Sequence, residues 1–223
     1  MHIMEGYLPW QWCLVWFAIA LPIVFFGINK ITKIIRENPE QKMIVALSGA
    51  FIFLLSSLKL PSVTGSSSHP TGTGLSAVLY GVSCTAFLST IVLVFQALLL
   101  AHGGITTLGA NIFSMGIAGP AVAFVIWFAL RRAKVSVPVS MFFAAMLADL
   151  VTYVVTALQL TAAFGGAAGY GTAFIDFMTI FAVTQVPLAI VEGAIFSMFA
   201  KYLADTRPQI FGLEPKYEGA ASA

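Results

Sequence analysis

The chain has 223 residues, of which 59% are hydrophobic and only 9% charged, against about 25% charged in an ordinary soluble domain. With a mean hydropathy of +0.94 and no polar run longer than a loop, it reads as an all-α, polytopic membrane protein with residues 1–223 forming one integral membrane domain. No glycine-rich phosphate loop of the GxxxxGK[ST] type occurs, so any energy from ATP has to come from another chain. A net charge of +2, with the cations gathered at predicted helix ends, leaves no footprint for nucleic acid.

The opening MHIMEGYLPW carries no Lys or Arg, and the first appears at Lys30, so residues 1–9 do not read as a signal or topogenic start. Six apolar blocks follow, at 9–29, 43–60, 74–101, 109–130, 136–163 and 172–203. A span needs about 20 residues, which all but the second clearly reach. Lys30, Lys33, Arg36 and Lys42 flank the first connection, Arg131, Arg132 and Lys134 the fourth, and Lys201, Arg207 and Lys216 the C-terminal end. All three groups should be cytoplasmic. One crossing per block would put the first two on opposite sides, so an extra segment is needed between them. The long block 74–101 supplies it by breaking at Gly81, Ser83 and Cys84 into a short helix near 74–81 and a longer one near 84–101.

The expectation is therefore about seven membrane helices, one of them short, partial or re-entrant. The N-terminus lies outside and the C-terminus in the cytoplasm, in the inner or plasma membrane of a prokaryote. Only Lys59 among the Lys and Arg then faces out, and His2, His69 and His102 all fall at the outer face. Cys13 and Cys84 sit in apolar context and read as buried thiols, with no disulfide framework. GxxxG-like spacing at Gly165 and Gly169 and the alanine-rich stretch 144–148 read as close-packing sites.

A free amine followed by histidine has a particular chemistry. The α-amine of Met1, the amide nitrogen of His2 and its Nδ1 close a five-membered and a six-membered chelate ring on one ion, with the amide proton leaving on binding. The loop PSVTGSSSHPTGTG offers His69 as a fourth donor. Four nitrogens in a plane suit Ni²⁺ or Cu²⁺, and Co²⁺ in a strong ligand field, while Zn²⁺ prefers a tetrahedron and Mg²⁺ or Ca²⁺ prefer oxygen. The plainer reading is a second-position histidine arising by chance and a solvated loop histidine. Glu5, Ser68, His102 and Asn111 are candidates for a supporting shell, Glu5 by holding the N-terminal coil and Asn111 by orienting His2 or His69.

Asp149, Asp176 and Glu192 lie in or near spans, where an unpaired charge costs at least about 2.5–3.5 kcal/mol. Asp176 and Glu192 are about 24 Å apart along a helix, so they belong to different levels, Asp176 outer and Glu192 deeper. Either packing hydrogen bonds or a cation relay would account for the acids. The latter would suit a rival function, a proton-coupled secondary metal transporter. A second rival, an intramembrane enzyme using Ser68 and His69, lacks an oriented acid.

MHIMEGYLP, SSSHPTGTG, LLLAHGGITTLGANIFSMGIAGP and TQVPLAIVEG, collinear over most of the chain, resemble the CbiM/NikM family, the substrate-binding membrane components of energy-coupling-factor cobalt and nickel transporters. The resemblance implies a seven-helix fold with a tucked-in N-terminus. It also implies a metal site of the Met1 amine, the His2 amide and imidazole nitrogens and His69, with Co²⁺ or Ni²⁺ as transported ligand and no resident cofactor. The implied partners are a transmembrane coupling component, ATPase subunits and often a small accessory membrane protein. The opening and the SSSHPTGTG loop resemble the cobalt-type members.

Overall fold

The structure is a computed structural model that describes residues 2–61, 66–166 and 169–212; Met1 and Lys216 lie outside the described residues. Seven helices are present among them: α1 Trp10–Glu37, α2 Gln41–Ser57, α3 Gly74–Tyr80, α4 Val82–Leu100, α5 Leu108–Arg132, α6 Val137–Phe164 and α7 Tyr170–Thr206. Five of them are long and apolar enough to cross a bilayer, and α2, at 17 residues, is shorter. Phe26, Leu99, Val183 and Met198 are each at least 69% exposed. Large side chains bared on this scale identify lipid as the solvent of the outer helix faces.

The extra segment falls where the sequence breaks. α3 is seven residues long, about 10 Å, and Gly81 alone separates it from α4, with φ +82°. That left-handed conformation is open to glycine and strained for a residue with a Cβ. Lys30 at the far end of α1 donates its Nζ to the Tyr80 carbonyl at 2.7 Å, satisfying a helix-end acceptor. The Tyr80 hydroxyl reaches Gln41 Oε1 at the start of α2. The α3–α4 turn is thereby pinned between the ends of α1 and α2 that carry the first basic cluster. Multi-pass, mostly helical architecture with one partial helix is thus what the chain adopts.

Ala144, Ala145 and Ala148 on α6 are fully buried and give α3 and α7 a close approach. Gly165 and Gly169, by contrast, lie past the end of α6 in its connection to α7 rather than within a packed helix. The reason is local: α6 terminates at Phe164, and Gly169 takes φ +87° at the cap of α7. In α5, residues Ile112–Ala118 form a π-helical segment directly after Asn111, a distortion that often marks functional positions.

A small antiparallel sheet closes one end of the bundle. β1 is His2–Ile3, β2 Leu60–Pro61 and β3 Ser66–Ser68, in spatial order β1-β3-β2, with His2 opposite Ser67 and Ile3 opposite Ser66. The N-terminal strand thus pairs with the polar loop of the sequence. From β3 the chain runs through His69, Pro70, Thr71, Gly72 and Thr73 into α3, and every one of these residues is buried. A buried irregular stretch inside a membrane protein must have its backbone polar groups satisfied by neighbouring helices.

Candidate metal centre

His2, His69 and His102 meet under the sheet. One ligand-capable nitrogen from each lies within 4.8 Å of the other two, and the side chains are 0%, 0% and 3% exposed. None of the three is a solvated loop residue. His2 arrives on β1, His69 at the end of β3, and His102 just beyond α4, where Ala101 turns the chain with φ +45°.

The hydrogen bonds define which nitrogens are free. His69 Nδ1 lies 2.8 Å from the Pro70 carbonyl oxygen, an acceptor only, so Nδ1 carries the proton and Nε2 keeps its lone pair. Nε2 is buried with no hydrogen-bond partner, as are His2 Nε2 and His102 Nδ1. His2 Nδ1 is 3.0 Å from His102 Nε2, which is also 2.7 Å from Ser67 Oγ. Burial, then the neighbouring His69 and His102, hold the His2 pKa well below the usual imidazole range. Burial followed by the N-terminal charge does the same for His69. His102 is pushed down to about 4, first by burial and then by Lys59. At neutral pH all three rings are neutral, the form that offers lone pairs to a cation.

The N-terminal segment is held by its backbone. Ile3 donates its N–H to Asn111 Oδ1 at 2.8 Å, and its carbonyl accepts from Asn111 Nδ2 at 3.1 Å and Thr107 Oγ1 at 2.8 Å. Asn111 therefore orients the residue after His2 rather than an imidazole ring. Its two-sided amide matches a peptide group, and no ring nitrogen competes for it. Glu5 accepts from the Thr106 N–H at 3.1 Å, and Gly6 donates to Thr106 Oγ1. The Thr106 side chain, and after it the backbone N–H groups around Thr106, hold the Glu5 pKa below the ordinary carboxylate value against the opposing effect of partial burial. A Cβ at Gly104 would sit 2.5 Å from the Glu5 Cα and 2.7 Å from its N, so the glycine pair after His102 is what lets the N-terminal strand lie this close.

Ser68 is buried, but its hydroxyl accepts from Thr184 Oγ1 of α7 at 2.8 Å instead of meeting a histidine. Alternation along β3 is the cause: adjacent side chains point to opposite faces, so Ser67 faces His102 and Ser68 faces α7. The same alternation keeps Ser68 from acting as a nucleophile paired to His69. Sequence reasoning passed over Ser67, Thr106, Thr107, Thr184 and Gln185. The signal available was the cost of Thr184 and Gln185 inside an apolar helix, which demands partners.

Of the three acids, Asp176 is exposed near the start of α7. Glu192 is fully buried and accepts from the Thr71 N–H, from Thr71 Oγ1 at 2.7 Å and from the Gly72 N–H at 3.0 Å. Asp149, also fully buried, accepts from Gln185 Nε2 at 2.6 Å, and the same amide nitrogen lies 3.1 Å from the His69 carbonyl oxygen. A cavity of about 380 Å³ lined by Met4, Lys59, Ser66, Ser67 and His102, among others, opens beside the cluster at the sheet end.

Fold and site together define a multi-pass membrane protein with a buried, neutral imidazole cluster at one end of its bundle. Residues 2–210 match the family model described as the cobalt uptake substrate-specific transmembrane region, CbiM. The chain is 57% identical over 194 residues to the cobalt transport protein CbiM of Anoxybacillus flavithermus, covering 86% of this chain and 78% of that one. It is 51% identical over 214 residues to the protein of the same name from Streptococcus sanguinis, covering 96% and 88%. A CbiM relative from Archaeoglobus fulgidus is 55% identical over 214 residues, covering 94% and 97%. A solved structure described as a truncated transition metal transporter superposes with a TM-score of 0.81 at 28% identity, covering 92% of this chain and 99% of that one.

The chain belongs to the CbiM cobalt-uptake family. It is a prokaryotic multi-pass membrane protein of a transport family, not of an enzyme family.

Proposed function

We propose that this chain captures Co²⁺ or Ni²⁺ at the outer face of the membrane, as the substrate-specific component of an ATP-driven energy-coupling-factor uptake transporter. The ion is held in a plane of four nitrogens: the Met1 amine, the His2 amide nitrogen and Nδ1, and His69 Nε2. The observation that carries the reading is the buried convergence of His2 and His69, with His69 Nδ1 committed to the Pro70 carbonyl so that Nε2 faces the cluster unpaired. The relatives named as cobalt transport proteins support cobalt as the cargo.

In this scheme the ion sheds its water at the cavity beside His102 and enters the nitrogen plane. His2 Nδ1 gives up its contact with His102 Nε2 in favour of the ion, and Ser67 keeps the His102 ring in place. The Asn111 clamp on Ile3 presents the His2 peptide in a fixed pose, so little ordering is left to do at binding. Planar nitrogen ligation disfavours Zn²⁺, and the lack of oxygen donors disfavours Mg²⁺ and Ca²⁺. The opposite end of the bundle, with its Lys and Arg, faces the cytoplasm. A transmembrane coupling component, ATPase subunits and a small accessory membrane protein act there to open the site.

The test compares metal content and visible absorption after exposure to Co²⁺ or Ni²⁺ for the native chain and a version with one residue added ahead of Met1. The extension moves the amine out of the chelate, and near-stoichiometric metal and the planar d–d band should both be lost. Unchanged binding would remove the amine from the site.

A further inference from the structure

We propose that Glu192, in the middle of α7, is a positioning residue for the cargo site, acting on His69 through the single peptide group that joins Pro70 to Thr71. The proposal rests on His69 being a ligand. The geometry is a relay. The Glu192 carboxylate accepts the Thr71 N–H, and the carbonyl of the same peptide unit, on Pro70, accepts the His69 Nδ1–H at 2.8 Å. A peptide unit is planar, and in the trans form its N–H and C=O point in opposite directions. Fixing the N–H therefore fixes where the carbonyl points, and the carbonyl fixes the imidazole ring and the direction of its Nε2 lone pair.

The relay is also electronic. A carboxylate on the N–H polarises the amide, making its oxygen a stronger acceptor and Nε2 a better donor to a cation. Metal-ligating histidines elsewhere gain the same effect from a carboxylate in direct contact. Here a peptide is interposed.

The surrounding bonds serve one purpose. Thr71 Oγ1 and the Gly72 N–H also donate to Glu192. Gln185 holds the His69 carbonyl and Thr184 holds Ser68, so three residues of α7 grip four of the five loop residues 68–72. Among the described residues Glu192 has no ion-pair partner, and the ion pair there is Lys33–Glu37, on the surface. A buried charge without a cation is expensive, and an apolar or amide side chain would pack a helix at lower cost. The loop's donors account for its presence. Pro187 lies inside α7 between Gln185 and Glu192, where a helix loses a backbone bond and bends. Movement of α7 about that point would turn the 70–71 peptide and swing His69 out of the plane, a route by which force applied at the cytoplasmic end releases the ion.

The test is made on the full-length chain in detergent, reading Co²⁺ or Ni²⁺ affinity, dissociation rate and the d–d band, with the thermal midpoint and helical circular dichroism measured alongside. E192Q places an amide against the Thr71 N–H. It should weaken affinity about tenfold or more, speed dissociation and shift the band, with helicity unchanged. E192D keeps the charge and should recover part of the loss. Wild-type affinity and band with a lowered thermal midpoint would make Glu192 a packing residue and overturn the relay. Should E192Q fail to fold, E192D carries the test, since its shorter side chain draws the carboxylate back from the Thr71 N–H. It should weaken affinity about threefold, and wild-type affinity there would overturn the relay equally. His69→Ala separates the two readings: unchanged metal affinity in that variant removes His69 as a ligand and the relay with it. Lost binding in His69→Ala beside intact binding in E192Q overturns the relay alone.

Discussion

Replacing Asn111 with alanine isolates how far the N-terminal clamp sets metal affinity. Two hydrogen bonds to Ile3 disappear, but they do not cost the same. The Ile3 carbonyl still has Thr107 Oγ1 at 2.8 Å, whereas the Ile3 N–H loses its Asn111 Oδ1 partner. Ile3 is fully buried, so that N–H is left without water or protein. An orphaned buried donor costs about 1–3 kcal/mol. If β1 is only just held in place, this divides the docked fraction, and with it the apparent metal affinity, by about 5 to 150. The assay is a Co²⁺ or Ni²⁺ titration followed by the d–d band, with amide exchange of residues 2–8 measured on the same samples. Faster exchange together with weaker affinity is the expected result. Faster exchange with unchanged affinity would show that docking of β1 and metal capture are not linked. That result would refute the reasoning.

Four further perturbations test other parts of the protein. Gly104→Ala drives a Cβ to 2.5 Å from the Glu5 Cα and should weaken metal binding about tenfold or more by displacing the N-terminal strand. Gly166→Ala, with nothing within 4 Å, should bind as the wild type does in the same titration. Lys30→Met removes the bond to the Tyr80 carbonyl and should lower the thermal midpoint by a few degrees for a loss of about 1–3 kcal/mol. Its metal affinity should be unchanged, because Lys30 lies at the other end of the bundle. For pH, the folded-state pKa values of His2, His69 and His102 are all depressed. Protons then bind the unfolded chain first, below about 6.5. Stability contributed by the neutral rings is present above that value and is lost as pH falls through 6.5 toward about 4, the value for His102. The metal-free thermal midpoint should be flat between pH 8 and 7 and fall below about pH 6.5, with a shallower fall in His102→Asn.

Residue types and their order set the number and approximate place of the membrane segments. An apolar run of sufficient length has one stable home, and Gly81 within a 28-residue run has a conformation that few other residues share. The excess of Lys and Arg at alternate connections required a seventh segment, and α3 is that segment. The identity of the histidines as candidates was legible for a similar reason: an amine, an amide and an imidazole two residues from a chain start are within chelating reach whatever the fold.

What the sequence left undecided depends on direction in space. Ser67 and Ser68 are equivalent in composition, and only the pairing of β3 with β1 decides that one faces His102 and the other α7. Asn111 was readable as a partner of the site, but whether its amide meets a ring or a backbone depends on the register of β1 against α5. His102 enters the cluster because α4 is long enough to return to the sheet end. The roles of Thr184, Gln185 and Glu192 appear only when residues more than 110 positions away are brought against α7. A hydrogen bond is short and directional, so its partner is fixed by tertiary packing, whereas burial of apolar area is nearly indifferent to which neighbour covers it.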